Sequence, residues 1–201
     1  MADEVTIVNQ ALGFLGVDRI TSLNDNSKSA RLAKTVYAGL RDAVLEEGDW
    51  RFAIKRFKLL LSAEQPEFGS GNYFVIPMEV LRVIECNENR YDWDVEGNNI
   101  LIEAEEARIL TVSRVVNVDH MSSMFQQAFA ARIAWDLALP ITQSKTMHDT
   151  MFQLYKDKVD YAKANNGMQG STKRFAKGRL VGSRTSGAFL GGRTNVMGPT
   201  V

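Results

Sequence analysis

The chain has 201 residues, 45% hydrophobic and 24% charged, with 24 basic and 24 acidic groups and a formal net charge of zero. That apolar content suffices for one ordinary core with a small second lobe, and neither a run of about 18 apolar residues nor a basic leader points to a membrane span or signal peptide. A soluble protein made in a cytoplasm is expected. Cys86 is the single cysteine, and His120 and His148 are the two histidines. An intrachain disulfide is therefore impossible, and little material remains for a zinc cage or a His-based catalytic site, so no catalytic residue, metal or cofactor is expected.

The charge is unevenly laid out. From Gly167 onward lie six of the 24 basic residues and none of the 24 acidic ones, which leaves 18 basic and 24 acidic groups in residues 1–166. An acidic body thus carries a basic appendage, and such an appendage seeks an anionic partner.

Val5, Val8, Leu12 and Leu15 recur on one helical face between Asp3 as N-cap and Gly16 as stop, which predicts a helix over 4–15. Turn-forming Asn24, Asp25 and Asn26 mark 17–26 as a loop, with Ile20 and Leu23 pinning it to the core. Asn26 or Ser27 caps a second helix over 27–47, striped by Ala30, Ala33, Tyr37, Leu40 and Val44, with Gly48 supplying a left-handed turn at its end. The period then changes, as Phe57, Leu59 and Leu61 alternate with Arg56, Lys58 and Leu60. Further short strands are predicted at 73–76, 81–86, 91–95, 100–103 and 108–114, spaced for antiparallel hairpins. Helix returns near Ser123, whose spacing to Gln126 fits a capping box. Residues 125–139 are apolar on nearly every side, and Pro140 is expected to break the run. A fourth helix over 144–164 shows Met147, Met151, Leu154, Tyr155, Val159 and Ala162 on one face. Eight glycines among scattered Ser, Thr and Arg replace any periodicity in 167–201.

The expected fold is mainly α with an inserted antiparallel β lobe, an α+β class. Residues 1–54 and 115–166 make a helical bundle from both chain ends, 55–114 the β lobe, and 167–201 an extended basic tail.

Several short patterns invite a chemical reading. Asp92, Asp94, Glu96, Gly97 and Glu103 match the spacing of a calcium loop, but position five is Glu and the flanks read as strands, so a solvated hairpin with its turn at 96–99 accounts for every residue. Glu46, Glu47 and Asp49 resemble paired carboxylates for glycoside hydrolysis, yet adjacent positions suit a solvated helix end better than two acids across a cleft. Asp119 beside His120 reads as a helix start, and Gly69-Ser70-Gly71 lacks a following Walker lysine. Met121, Met124, Met147 and Met151 suit core filling. Trp50, Phe52, Trp135 and Tyr155 stand out as packing anchors. In the tail, Lys173, Arg174, Phe175, Lys177 and Arg179 would either clamp phosphates or fit an acidic groove on a protein. The acidic body favours protein docking.

The elements Asn9-Gln10-Ala11-Leu12, Leu15-Gly16, Ile20, Leu23-Asn24-Asp25 and Ala30 resemble the phage head-to-tail connector (adaptor) family of short-tailed phages, which includes tail tubular protein A. So do Tyr37, Arg41-Asp42, Val44-Leu45, Trp50-Arg51-Phe52-Ala53, the segment 77–83 and Pro140-Ile141-Thr142, and the resemblance spans roughly residues 5–165. It implies a non-enzymatic structural subunit of the virion tail. Such a subunit forms a homo-oligomeric ring, commonly of twelve copies, between a portal protein and a tail nozzle protein. DNA passes through the lumen without sequence-specific binding, and the basic tail would dock on the portal. The composition of residues 125–139, more apolar than one small bundle needs, also favours subunit contacts. Some such adaptors are thought to cut peptidoglycan, so a peptidoglycan-cutting or nucleic-acid-binding tail protein is the alternative expectation.

Overall fold

Helix α1 (Glu4–Leu15) forms where the apolar period places it, starting at an extended Asp3 and ending at Gly16, whose φ of 69° is the left-handed turn the glycine permits. The computed structural model describes residues 3–169. The loop to the next helix is held by Asn9, whose side chain donates to the Ile20 carbonyl and accepts from the Ile20 N–H, both at 2.8 Å. Helix α2 (Lys28–Glu46) begins at Ser27, whose Oγ accepts from the Ala30 N–H at 3.1 Å. Its buried stripe is Ala30, Ala33, Tyr37, Val44 and Leu45, joined by Arg41, which is buried beside its ion-pair partner Asp42 at 2.8 Å.

The end of α2 differs from expectation. Glu47 closes the helix in a right-handed conformation, and Gly48 supplies no left-handed turn. A Cβ at Gly48 would lie 3.1 Å from the Trp50 indole. The glycine is there because the fully buried Trp50 folds back, donating from Nε1 to the Val44 carbonyl at 2.9 Å.

A 3-10 turn (Arg51–Ala53) leads into the seven strands of the described residues: β1 (Ile54–Lys58), β2 (Leu60–Leu61), β3 (Asn72–Val75), β4 (Val80–Cys86), β5 (Trp93–Glu96), β6 (Asn99–Ile102) and β7 (Arg108–Ser113). All pair antiparallel, in two sheets of order β1-β7-β4 and β2-β3-β6-β5. The alternation across residues 56–61 therefore belongs to two strands in different sheets. At the crossing, buried Leu59 donates its N–H to the Ala107 carbonyl at 2.8 Å.

Helix α3 (Ser123–Thr142) corrects two expectations. Its N-cap is Ser122, which accepts from the Phe125 N–H, while Gln126 donates to the Val118 and Met121 carbonyls instead of closing a capping box with Ser123. Pro140 lies inside the helix, which ends two residues later where Gln143 turns left-handed at φ 54°. The proline costs one hydrogen bond, to the carbonyl of Asp136, an exposed residue. Helix α4 (Lys145–Met168) starts at Ser144 and continues past 164, so Gly167 and Met168, assigned to the tail by composition, are helical.

Helix α3 packs against α1, α2 and α4. Nine of its residues, from Phe125 to Ala138, are buried. Its all-round apolar character is thus satisfied within the chain, and it no longer argues for subunit contacts. A second apolar cluster gathers Leu59, Phe74, Ile76, Cys86, Ile100, Ile102, Ala107 and Ile109 in the strands. The sheet β1-β7-β4 borders both clusters. Along β4, Leu81 and Ile84 pack on the helical core while Val80, Val83 and Cys86 join the second cluster. That spacing of three departs from strand alternation because register shifts fall between Val80 and Arg82 and between Val83 and Glu85.

Candidate functional site

The residues with calcium-loop spacing form a hairpin. Glu96 pairs with Asn99 across a turn in which Gly97 has φ 58°, and strands stand where the calcium motif requires helices. Glu96 accepts from the Tyr73 hydroxyl, which this bond raises above the ordinary phenol value. Among the described residues no group of three His, Cys, Asp or Glu side chains is placed to hold a metal ion.

The carboxylates at the end of α2 are separately engaged. Glu47 accepts from the Tyr155 hydroxyl at 2.7 Å and lies 3.7 Å from Lys163. Asp49 is ion-paired with Arg82, whose Nε donates to the Glu46 carbonyl at 3.2 Å. Near the end of α4, Asn166 staples this turn, donating to the Asp49 carbonyl at 2.9 Å and accepting from the Arg51 N–H at 2.8 Å. These groups join α2, α4 and β4 instead of facing one another across a cleft.

Asp119 and the exposed His120 lie in a 3-10 turn capped by Asn117. Gly71, at φ 114°, lets its backbone approach β6, since a Cβ there would meet the Ile102 carbonyl oxygen at 3.2 Å. Met121 and Met151 are buried, and Met124 and Met147 pack on the same core.

The four aromatic anchors separate into two clusters. Trp50 and Phe52 each meet Phe125 edge-on at 5.0 Å, and Phe125 leads on to Phe129 and Tyr37. Trp135 stacks on Tyr155 at 5.9 Å and donates from Nε1 to His148 Nε2 at 2.9 Å. Arg132 covers the second cluster, its guanidinium 4.1 Å from the Trp135 ring centre and 5.5 Å from that of Tyr155. Burial pushes the Tyr155 hydroxyl well above its usual range, and the bond to Glu47 adds to the shift. Sequence spacing alone missed Arg132 and His148, although Arg132 and Trp135 stand three apart on one helix. The tail residues Lys173, Arg174, Phe175, Lys177 and Arg179 lie outside the described residues.

On the β lobe an open groove of about 1000 Å³ is walled by Arg56, Lys58, Glu88, Arg90, Glu103 and Glu106. Beside it Asn87, Glu88 and Asn89 run left-handed at φ 45°, 57° and 54°. Asn87 holds this costly turn, donating to the Glu106 carbonyl at 2.7 Å and accepting from the Arg108 N–H at 2.8 Å. Lys58 and Arg108 both bind the Glu106 carboxylate and hold it below the usual range.

Fold and sites together define an α+β protein in which most of the conspicuous side chains brace one element against another. No protein-family model matches the chain, and no curated protein matches it in sequence. No helix among the described residues is long and apolar enough to cross a membrane.

Proposed function

We propose that this chain is a structural head-to-tail adaptor of a phage virion, one subunit of a ring between portal and tail nozzle through which DNA passes. The observation that carries this reading is the work done by the residues behind the family resemblance. Asn9 grips Ile20 on both sides. Asp25 closes the same loop by accepting from the Thr21 and Ser22 N–H groups at 2.7 and 3.0 Å, bonds that lower its pKa. Asp42 links Arg41 on α2 to Arg114 beyond β7, and Trp50 locks the end of α2. A motif whose residues fix a loop, close a helix end and tie α2 to the segment after β7 specifies a rigid building block. An assembly subunit needs that rigidity, because its neighbours read fixed surfaces.

Electron microscopy of the full chain mixed with the portal of its own phage is expected to show a ring on the portal. Truncation after Gln169 is expected to abolish attachment and leave DNA affinity unchanged. A chain that stays solitary beside the portal, and turns over purified peptidoglycan in a manner lost in Glu46→Gln or Glu47→Gln, overturns the reading. A tail-dependent DNA affinity falling steeply with salt would move the tail from portal docking to phosphate binding.

A further inference from the structure

Open sheets end in strands whose outer N–H and C=O groups lack a ladder partner. In this fold the edge strands are β1 and β4 of one sheet and β2 and β5 of the other. Strand β2 has two residues. Strand β4 is tied to the end of α2 through Arg82. The two remaining edges carry opposite charge. Strand β1 reads Ile54-Lys55-Arg56-Phe57-Lys58, with all three basic residues exposed, and β5 with its preceding residue reads Asp92-Trp93-Asp94-Val95-Glu96, with all three acidic residues exposed. Arg56, Asp92 and Asp94 have no ion-pair partner among the described residues.

We propose that β1 of one copy pairs antiparallel with β5 of a second copy, with Arg56 opposite Asp94; this deepens the ring reading above and rests on it. In that register Lys58 faces Asp92 on the same side of the joined sheet, so two cross-strand pairs unite opposite charges. On the other side Phe57 meets Trp93, and both already pack on the apolar cluster of their own lobe. Lys58 also binds Glu106 and reaches Asp92 from that pair. A slip by one residue sets Arg56 against Trp93 or Val95 and leaves one opposite-charge pair, Lys55 with Asp94 or Glu96, in place of two. A slip by two in one direction keeps opposite charges together, Arg56 with Glu96 and Lys58 with Asp94, but engages Glu96, which Tyr73 already holds, and sets Phe57 against exposed Val95 in place of Trp93; in the other direction it sets Lys58 against Arg90. Because the two edges differ, the contact is head-to-tail, the kind that repeats around a ring, whereas a self-complementary patch stops at a dimer. A five-residue edge is smaller than the roughly 800 Å² per partner of a stable interface, so it serves as one contact among those of the ring.

Without reductant a disulfide persists once formed, so trapping registers so small a contact, and the native Cys86 is buried. Full-length Arg56→Cys and Asp94→Cys proteins, mixed at high concentration under mild oxidant, are expected to form a mixed dimer about tenfold faster than either variant alone. The same advantage is expected over Arg56→Cys mixed with Asp149→Cys, and over the two-residue slip tested by Glu96→Cys. Adding Lys58→Glu to the first partner is expected to slow trapping about tenfold, and adding Asp92→Lys to the second to restore it. Equal rates for all pairs, or a faster self-dimer of Arg56→Cys, overturn the proposal. If rings are seen by electron microscopy while the mixed pair fails to trap, the edge contact is wrong and the ring reading stands. If the mixed pair traps with full charge-swap rescue and no ring forms, the contact is upheld and the ring reading fails.

Discussion

Around α3, Phe125, Ala128, Phe129, Ala130, Ala131, Ile133 and Ala134 are all fully enclosed, whereas the sheet β2-β3-β6-β5 leaves Leu60, Leu61, Val75 and Val95 at 79%, 59%, 40% and 51% exposure. Small alanines let α1, α2 and α4 approach one helix from several sides, so the helical core is closed by its own chain. A small open sheet has two edges and an outer face that nothing in the same chain covers. The contrast places the most enclosed apolar side chains on the helices and exposed apolar side chains on the strands.

The sharpest way to break that contrast is through the two cores. Phe125→Ala removes the ring shared by Trp50, Phe52 and Phe129 and is expected to cost about 3–5 kcal/mol in denaturant unfolding. Ile100→Ala in the second cluster is expected to cost about 2–4 kcal/mol and to raise amide exchange in β3 and β6 while α3 stays protected. Equal loss of protection in α3 would show a single cooperative unit. Asn9→Ala strands both backbone groups of Ile20 and is expected to cost about 1–3 kcal/mol, read as a lower denaturation midpoint at unchanged slope.

Alkaline titration separates the regions more gently. Burial raises the hydroxyls of Tyr37 and Tyr155, both packed in the helical core, above their unfolded values. A raised pKa means that the folded state keeps the proton longer. The stabilisation is therefore complete below the unfolded phenol value near pH 10, about where tyrosine normally titrates, and is lost as pH climbs toward the folded values. Melting temperature is expected to fall above that pH, and less steeply in Tyr155→Phe. Tyr37→Phe has the smallest effect, within about 1 kcal/mol and toward greater stability at neutral pH, because the buried Tyr37 hydroxyl has no hydrogen-bond partner among the described residues.

The local features that were legible are those with a short-range cause. Asp3, Gly16, Ser27 and Ser144 mark helix ends because a cap is made by neighbours in sequence. The stretch around Asp92–Glu96 read correctly as a hairpin because alternation and a glycine turn suffice. Gly48 and Pro140 were misread for one reason, that each is governed by something beyond its own torsion. Gly48 makes room for a tryptophan two residues on, and Pro140 loses a bond only on the exposed side of a helix held elsewhere. His148 and Asn166 escaped notice because their partners sit on another helix or turn and are set by packing, and Arg132, three residues from Trp135 on its own helix, because the Tyr155 ring it also covers lies on α4.

By itself the sequence determined the class of the fold, α+β with helices from both ends around antiparallel strands, since hydrophobic period and turn residues act over a few positions. It also determined the charge distribution, with all 24 acidic residues before Gly167 and six of the 24 basic ones after it. Tertiary structure alone decided that α3 is enclosed by its own chain, that seven strands divide into two sheets, and that a basic edge and an acidic edge stay open. Those outcomes depend on which distant segments meet, and the free energy of such meetings is a property of the packed whole.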